Sequence, residues 1–249
     1  MDGLSRFFDA LADLVFPPVC LGCDGPMEPA DPVRFVCRTC RARLRPLPHP
    51  CCSRCGAVAL VTGRTDAICP ECEPWPAELE AARSACVMEA PADRLVHQLK
   101  YRAWPGLAAP LAAFMARTAL PPAMTAARFV VPVPTTVQRE RERGYNQARL
   151  LALEYARLTD RTVIDALARE RGRSTQTTLQ PLARAANVAG AFRITAAGVG
   201  LRSASIVLVD DVLTTGATAS ACALALRSAG VRCAGLVTFA RALGSRRKT

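Results

Sequence analysis

The chain has 249 residues, enough for one or two domains, and 51% of them are hydrophobic, so it can bury a core and is not disordered throughout. No apolar run reaches the roughly 18 residues that a membrane-spanning helix needs. The net charge of +11 is uneven, because residues 1–90 hold 9 basic and 12 acidic side chains, whereas residues 91–249 hold 23 and 9. The basic C-terminal part is therefore expected to attract polyanions such as phosphorylated small molecules or nucleic acid.

Residues 1–17 are predicted to form an amphipathic helix. Apolar residues recur there at helical spacing until Pro17 and Pro18 end the pattern. Packing against the rest of the protein is favoured over docking on a membrane, because the polar face is acidic and suits anionic lipid poorly. The segment has no basic region of the kind that begins a secretory signal, so a cytoplasmic location is expected.

Nine of the twelve cysteines lie between residues 20 and 72 and form a repeat of C-x-x-C pairs. The two sets lie 32 residues apart and consist of Cys20, Cys23, Cys37 and Cys40, then Cys52, Cys55, Cys69 and Cys72. This register selects Cys52 over Cys51, whose counterpart position holds Val19. Each C-x-x-C pair can supply two thiolates to one Zn²⁺ at about 2.3 Å, so the repeat predicts two Cys₄ zinc sites.

Residues 18–75 are accordingly predicted to form a double zinc ribbon. Four thiolate ligands leave no open coordination position, so the zinc is expected to be structural and to supply most of the stability of so small a unit. Iron–sulfur clusters are the chemical alternative, and thioredoxin-like redox chemistry is less favoured because no βαβ pattern surrounds the cysteines. Sequential or crosswise pairing of the knuckles stays open, as does contact of the ribbons with protein or DNA.

The rest of the chain alternates helices with apolar runs, after a proline- and acid-rich stretch over Glu71–Glu80 that is interpreted as a linker. Helices are predicted over residues 91–104, 106–119, 147–158 and 217–228, and strands over residues 129–133, 162–167, 205–209 and 233–239. This alternation predicts an α/β fold with a parallel sheet covered by helices on both faces. In such sheets, ligands bind at the carboxyl ends of the strands.

The strand over residues 205–209 leads into the most informative segment, Asp210-Asp211-Val212-Leu213-Thr214-Thr215-Gly216-Ala217-Thr218. Backbone amides of the following helix, threonine hydroxyls and a glycine that permits close approach can cradle a monophosphate. The two carboxylates can accept hydrogen bonds from vicinal sugar hydroxyls and hold a hydrated Mg²⁺. A plain buried strand and a Walker B strand are the alternatives, but no G-x-x-x-x-G-K-[ST] occurs in the chain. A ribose 5-phosphate ligand is therefore favoured.

This segment resembles the phosphoribosyl pyrophosphate (PRPP) motif of type I phosphoribosyltransferases, and further segments narrow the resemblance to the ComF family of competence-associated proteins. The segments similar to that family are Leu99-Lys100-Tyr101, Arg143-Gly144-Tyr145-Asn146-Gln147 and residues 176–192. Tandem Cys₄ units ahead of a phosphoribosyltransferase-like domain are also the architecture of the family. The resemblance implies such a domain over residues 85–249 and a link to DNA uptake in natural competence.

The resemblance also implies roles for individual residues. A pyrophosphate-binding loop would span residues 134–144 with Arg139, Arg141 and Arg143, and a lid would span residues 169–193. Asp210, Asp211 and Arg143 are the catalytic candidates. PRPP, with magnesium, would be bound by Asp210, Asp211, Thr214, Thr215, Gly216, Ala217, Thr218, Lys100 and Arg139.

Type I phosphoribosyltransferases displace pyrophosphate from the anomeric carbon of PRPP with a nitrogen nucleophile. Relatives that act on purines carry an aspartate where this chain has Thr214, which disfavours purine salvage and leaves the acceptor unidentified. Two functions of different classes follow: a phosphoribosyltransferase, including one of nucleotide salvage, or a non-catalytic factor that handles single-stranded DNA together with other competence proteins. The basic C-terminal part suits both, because PRPP and DNA are polyanions.

Overall fold

The computed structural model describes residues 19–28, 31–58, 69–170 and 190–243. The predicted helix over residues 1–17 lies outside these ranges, as does most of the predicted lid over residues 169–193. Among the described residues, no helix combines the length and the apolar character that crossing a bilayer requires.

A five-stranded parallel sheet forms the centre of the structure, with the strand order β1-β7-β6-β2-β3. Its strands are β1 (Ala82–Val87), β2 (Phe129–Pro132), β3 (Thr162–Val163), β6 (Ser205–Leu213) and β7 (Arg232–Arg241). Two short strands, β4 (Leu167–Arg169) and β5 (Phe192–Ile194), form a separate antiparallel pair. The predicted α/β fold with a parallel sheet is confirmed.

Helices cover both faces of this sheet, because buried residues along the strands point alternately to either side. Val207 and Val209 of β6 belong to one apolar cluster, whereas Ile206 and Leu208 belong to the other. The helices are α1 (Arg38–Arg43), α2 (Ala92–Tyr101), α3 (Ala108–Ala116), α4 (Pro122–Ala126), α5 (Val137–Arg143), α6 (Gln147–Thr159), α7 (Ala196–Val199) and α8 (Ala217–Ser228), with a 3₁₀ turn at Pro105–Leu107. Helices α2 and α3 pack in the first cluster, and α8 packs in the second.

The predicted strand over residues 162–167 is divided in the structure. Ile164 N donates to Val130 O at 2.9 Å, which is the last ladder contact with β2. The chain then turns sharply, with Ala166 N donating to Ile164 O at 2.8 Å, and Leu167 joins the antiparallel pair instead. A largely apolar stretch, here interrupted by Asp165, therefore does not establish that a single strand spans it.

The stretch over Glu71–Glu80, interpreted as a linker, packs in part against the rest of the structure. Trp75 and Leu79 are buried, and strand β1 follows at Ala82. Backbone hydrogen bonds tie β1 to the cysteine-rich part, since Ala82 N donates to Arg54 O at 2.8 Å and Val87 N donates to Arg45 O at 2.9 Å. The cysteine repeats thus pack directly against the edge of the sheet.

Candidate functional site

The eight predicted zinc ligands come together as two separate sets, one from each repeat. Within each set the four sulfur atoms lie within 4.8 Å of one another, so the knuckles pair sequentially, a point that spacing left open. Cys23 and Cys37 sulfurs are 3.8 Å apart, and those of Cys55 and Cys69 are 3.7 Å apart. A tetrahedron with zinc–sulfur bonds of about 2.3 Å has sulfur–sulfur edges of about 3.8 Å, so both sets fit zinc.

Backbone amides favour the thiolate form of one cysteine in each set, Cys20 and Cys52. Gly22 N and Cys37 N each donate to Cys20 Sγ at 3.3 Å. Burial raises the pKa of the Cys20 thiol, but these amides outweigh burial and lower it to about 7. The pKa of Cys52, the counterpart of Cys20 in the second repeat, is also lowered to about 7. Burial raises this pKa, but hydrogen bonds, the largest from the Cys55 and Arg54 amides, outweigh that effect. The sequence repeat is therefore a structural repeat as well.

The second candidate site occupies the last residues of β6 and the loop that leads to α8. Asp211 is buried and Asp210 is half-buried, and Thr214 and Thr215 follow as exposed residues. Gly216 occupies the N-cap position of α8 with a φ of 81°, in the left-handed region that glycine tolerates best. The strand continues to Leu213, four residues beyond the predicted range of 205–209, so Asp210 and Asp211 lie within the last residues of β6, which pair with β7, rather than following the strand.

The N-cap residue of α8 is Gly216, which has no side chain to cap the first amides of the helix. Thr215 Oγ1 accepts from Ala217 N at 3.4 Å, a long hydrogen bond that a stronger acceptor could replace. Together with the positive end of the helix dipole, this leaves an arrangement suited to an anion.

The two aspartates differ in their surroundings. Burial, with the adjacent Asp211 charge, raises the pKa of Asp210 to about 8, although the Asp211 amide donates to Asp210 Oδ1 at 2.8 Å. Asp211 Oδ2 is buried and accepts no hydrogen bond of good geometry from the described residues. An under-satisfied carboxylate at the end of a strand is suited to accepting hydrogen bonds from a ligand.

Lys100 links this strand end to a neighbouring cavity. Its Nζ lies 2.9 Å from Asp211 Oδ2, close enough for an ion pair, although the angle is not that of a hydrogen bond. The cavity has a volume of about 270 Å³ and is lined by Lys100, Tyr101, Ala103, Arg139, Glu142 and Arg143. The structure therefore places the predicted Lys100, Arg139 and Arg143 around one cavity, while Asp210 and the loop to α8 do not line it.

The predicted pyrophosphate loop over residues 134–144 contains the short helix α5, which the sequence analysis did not anticipate. Thr136 caps this helix by accepting from Arg139 N at 3.2 Å, and Gly144 ends it at a φ of 82°. None of its residues is buried. Two contacts hold the Arg143 side chain in place. Its Nη1 donates to Gln147 Oε1 at 2.8 Å, and its guanidinium lies 5.0 Å from the Tyr101 ring centroid.

Two residues near this site were missed by the sequence analysis. Arg169 of β4 stacks on Phe192, and burial, with the Arg139 charge, lowers its pKa, while the Asp210 charge raises it. Trp75 donates its indole N–H to Thr215 O at 2.8 Å. Arg169 begins the predicted lid and Trp75 ends the predicted double zinc ribbon, but nothing in either pattern indicates these contacts, so only chain folding could reveal them.

Comparison with known proteins agrees with this architecture. A double zinc ribbon domain family matches residues 11–74. The chain is similar to the DNA utilization protein YhgH of Salmonella typhi, with 31% identity over 192 residues, covering 74% of this chain and 80% of that protein. The YhgH protein of Escherichia coli (strain K12) is 28% identical over 188 residues, covering 74% and 80%. Competence protein F of Haemophilus influenzae is 34% identical over 103 residues, covering 41% and 45%.

Proposed function

Since the chain belongs to the ComF family, we propose that it binds PRPP or a related ribose 5-phosphate ligand at the carboxyl end of β6 and acts in the uptake and use of DNA. The names of its relatives, DNA utilization protein and Competence protein F, support the second part. Other competence proteins and single-stranded DNA are the partners that we propose on the same basis.

One observation carries the ligand assignment: the last residues of a buried strand include two adjacent acids, and the chain then leads through Gly216 into a helix without a side-chain cap. The amides of α8 and the hydroxyls of Thr214, Thr215 and Thr218 would bind the 5-phosphate. The carboxylates of Asp210 and Asp211 would accept hydrogen bonds from the ribose 2- and 3-hydroxyls. A hydroxyl donor at Asp211 Oδ2 would also satisfy an oxygen that is buried without a hydrogen bond.

The basic cavity is the binding place that we propose for the pyrophosphate group of PRPP. Lys100, Arg139 and Arg143 present three cations there, and the phosphoribosyl transfer that we propose for this site would move negative charge onto the departing pyrophosphate. In that reaction the bond from the anomeric carbon to the pyrophosphate oxygen breaks, a carbon–nitrogen bond forms, and the amine loses a proton. Bound Mg²⁺ would supply further charge neutralisation, and the carboxylate pair at Asp210 and Asp211 offers the hard oxygen ligands that it prefers.

Lys100 would have to exchange partners when the ligand binds. In the structure it pairs with Asp211, and its side chain is 22% exposed. A pyrophosphate in the adjacent cavity would compete for Nζ, while the ribose hydroxyls would replace it at Asp211. We propose that, through this exchange, binding of the ribose hydroxyls at Asp211 favours binding of the pyrophosphate in the cavity, and the reverse.

We also propose a division into the double zinc ribbon over residues 18–75 and a phosphoribosyltransferase-like domain over residues 85–249. Both Cys₄ sets have every ligand position filled by a thiolate, so their zinc would be structural. The proposed ligand site is built entirely from the second part, except for the contact made by Trp75.

Calorimetric titration of the zinc-loaded protein with PRPP and Mg²⁺ tests the proposal. We expect micromolar binding, and loss of at least about 100-fold in affinity when Asp210→Asn and Asp211→Asn are combined, since two charge-assisted hydrogen bonds are removed. Asp165→Asn is the matched control, because Asp165 is exposed and pairs with Arg149 at 3.1 Å. Absence of binding in the unmodified protein, or unchanged affinity in the double variant, would contradict the ribose-binding assignment.

A second candidate function, single-stranded DNA binding, is favoured by exposed aromatic residues beside the basic cavity. Tyr101 is 63% exposed and Trp104 is 41% exposed, and stacked bases need such surfaces. Binding of an oligothymidylate should weaken steeply with salt and should weaken further on Tyr101→Ala. An affinity that changes neither with salt concentration nor on Tyr101→Ala would count against DNA binding at this surface.

A further inference from the structure

Trp75 connects the second Cys₄ site with the loop between β6 and α8. The side chain is 6% exposed, and Nε1 donates to Thr215 O at 2.8 Å. A Cβ atom on Gly216 would collide with the indole, so the ring lies directly against the backbone of the loop. The contact joins residues that are 140 positions apart in the chain.

The position of Trp75 is itself set by the second repeat. Trp75 N donates to the carbonyl oxygen of the proposed zinc ligand Cys72 at 3.1 Å. Arg54, which lies between Cys52 and Cys55, donates to Cys72 O at 3.1 Å and to Pro76 O at 2.7 Å. The Arg54 guanidinium also lies 5.9 Å from the centroid of the Trp75 ring. The ribbon therefore holds the indole from both the main chain and the ring face.

We propose that Trp75 is a positioning residue that orients the loop for the ligand's phosphate, an inference that rests on the function proposed above. The carbonyl and amide of one trans peptide unit point in opposite directions. By fixing Thr215 O on the ribbon side, Trp75 turns the amide of Gly216 to the side away from the ribbon. It also polarises that amide, because a carbonyl that accepts a hydrogen bond makes its own N–H a stronger donor.

The test compares Trp75→Phe with the unmodified protein by calorimetric titration with PRPP and Mg²⁺. Phenylalanine keeps an aromatic ring against Gly216 but removes the N–H donor. We expect the dissociation constant to rise about five- to tenfold, which corresponds to loss of one neutral hydrogen bond. Affinity within about twofold of the unmodified protein would overturn the inference.

Two readouts separate positioning from general loss of structure. Tyr155→Phe is the matched control, because Tyr155 is a buried aromatic residue of α6 whose hydroxyl contacts Arg161 at 3.4 Å, and it packs in the other apolar cluster. It is expected to leave PRPP affinity unchanged. Both variants should keep the zinc content of the unmodified protein. An equal loss of affinity in the two variants would assign the effect to stability and overturn the positioning role.

Fluorescence provides a measurement that does not depend on folding of the Trp75→Phe variant. The chain has 2 tryptophans, so Trp104→Phe leaves Trp75 as the sole indole emitter. PRPP with Mg²⁺ should change its emission, and the change should saturate with the calorimetric dissociation constant. If this variant binds PRPP with no change in emission, the inference fails while the proposed function stands. If the unmodified protein does not bind PRPP, the proposed function itself fails.

Discussion

The guanidinium of Arg241, at the end of β7, donates to the carbonyl oxygen of Cys55 at 2.7 Å. Arg241 is only 1% exposed, and its Nη2 lies 3.9 Å from Cys55 Sγ. Burial raises the pKa of the Cys55 thiol, whereas the Ala57 amide and the Arg241 charge lower it. Four thiolates around Zn²⁺ carry a net negative charge, so the buried cation would balance the second site and fasten it to the sheet.

Replacing this cation should destabilise the protein substantially. Arg241→Met removes a buried donor and leaves the second thiolate cluster without its neighbouring positive charge. We expect the free energy of unfolding to fall by about 3–5 kcal/mol, measured by urea denaturation of the zinc-loaded protein. Arg149→Met is the control, because the Arg149–Asp165 pair is exposed and should be worth less than about 1 kcal/mol. Equal effects of the two substitutions would contradict the structural role of Arg241.

Asp210→Asn should stabilise the fold at neutral and alkaline pH while weakening PRPP binding. Burial and Asp211 raise the pKa of Asp210 from 3.8 to about 8. Folding therefore takes up a proton between these values, and the contribution of Asp210 to stability decreases as the pH rises from about 4 to about 8. Asparagine removes that penalty, so we expect a gain of at least about 1 kcal/mol above pH 8 and little difference near pH 4. Urea denaturation at both pH values measures the difference. A gain that is independent of pH would rule out this explanation.

Elemental analysis should find two zinc ions per chain, one for each Cys₄ set. Cys69→Ser should reduce the content to one, because a structural site that loses a thiolate binds zinc far more weakly. Cys51→Ser should leave both ions in place, since the Cys51 sulfur lies 3.5 Å from His49 Nδ1 and belongs to neither set. Loss of zinc in the Cys51 variant would overturn the choice of Cys52 as the ligand.

Lys100→Met should weaken both the fold and the ligand site. Asp211 is 3% exposed and Lys100 is its ion-pair partner, so we expect a loss of about 1–3 kcal/mol in the free energy of unfolding. The pKa of Asp210 should rise further, because the Lys100 charge lowers it. Lys100→Arg keeps the charge and should restore most of the stability. Urea denaturation and PRPP titration of both variants measure these effects, and a Met variant that binds PRPP normally would exclude Lys100 from the site.

Sequence patterns within a few residues predicted the helices and strands whose apolar periodicity is clear. The span of α8, Ala217–Ser228, is as predicted, and β6 contains the predicted strand over residues 205–209. Strand β1 was missed because Ala82–Val87 mixes polar and apolar residues, and its polar Ser84 is hydrogen-bonded to the distant Thr238 hydroxyl of β7 at 2.6 Å. The burial of Trp75 was missed for a similar reason, since nothing near Glu71–Glu80 indicates that a distant loop covers it.

The sequence by itself determined the two Cys₄ sets, the alternation that builds the parallel sheet and the acidic end of β6. These depend on short spacings that fix geometry within a few residues. Only the tertiary structure decided that the knuckles pair sequentially, that Lys100 meets Asp211, and that Trp75 and Arg241 join the ribbon to the sheet. Those contacts depend on which elements lie side by side, and packing of the whole chain, rather than local preference, selects their neighbours.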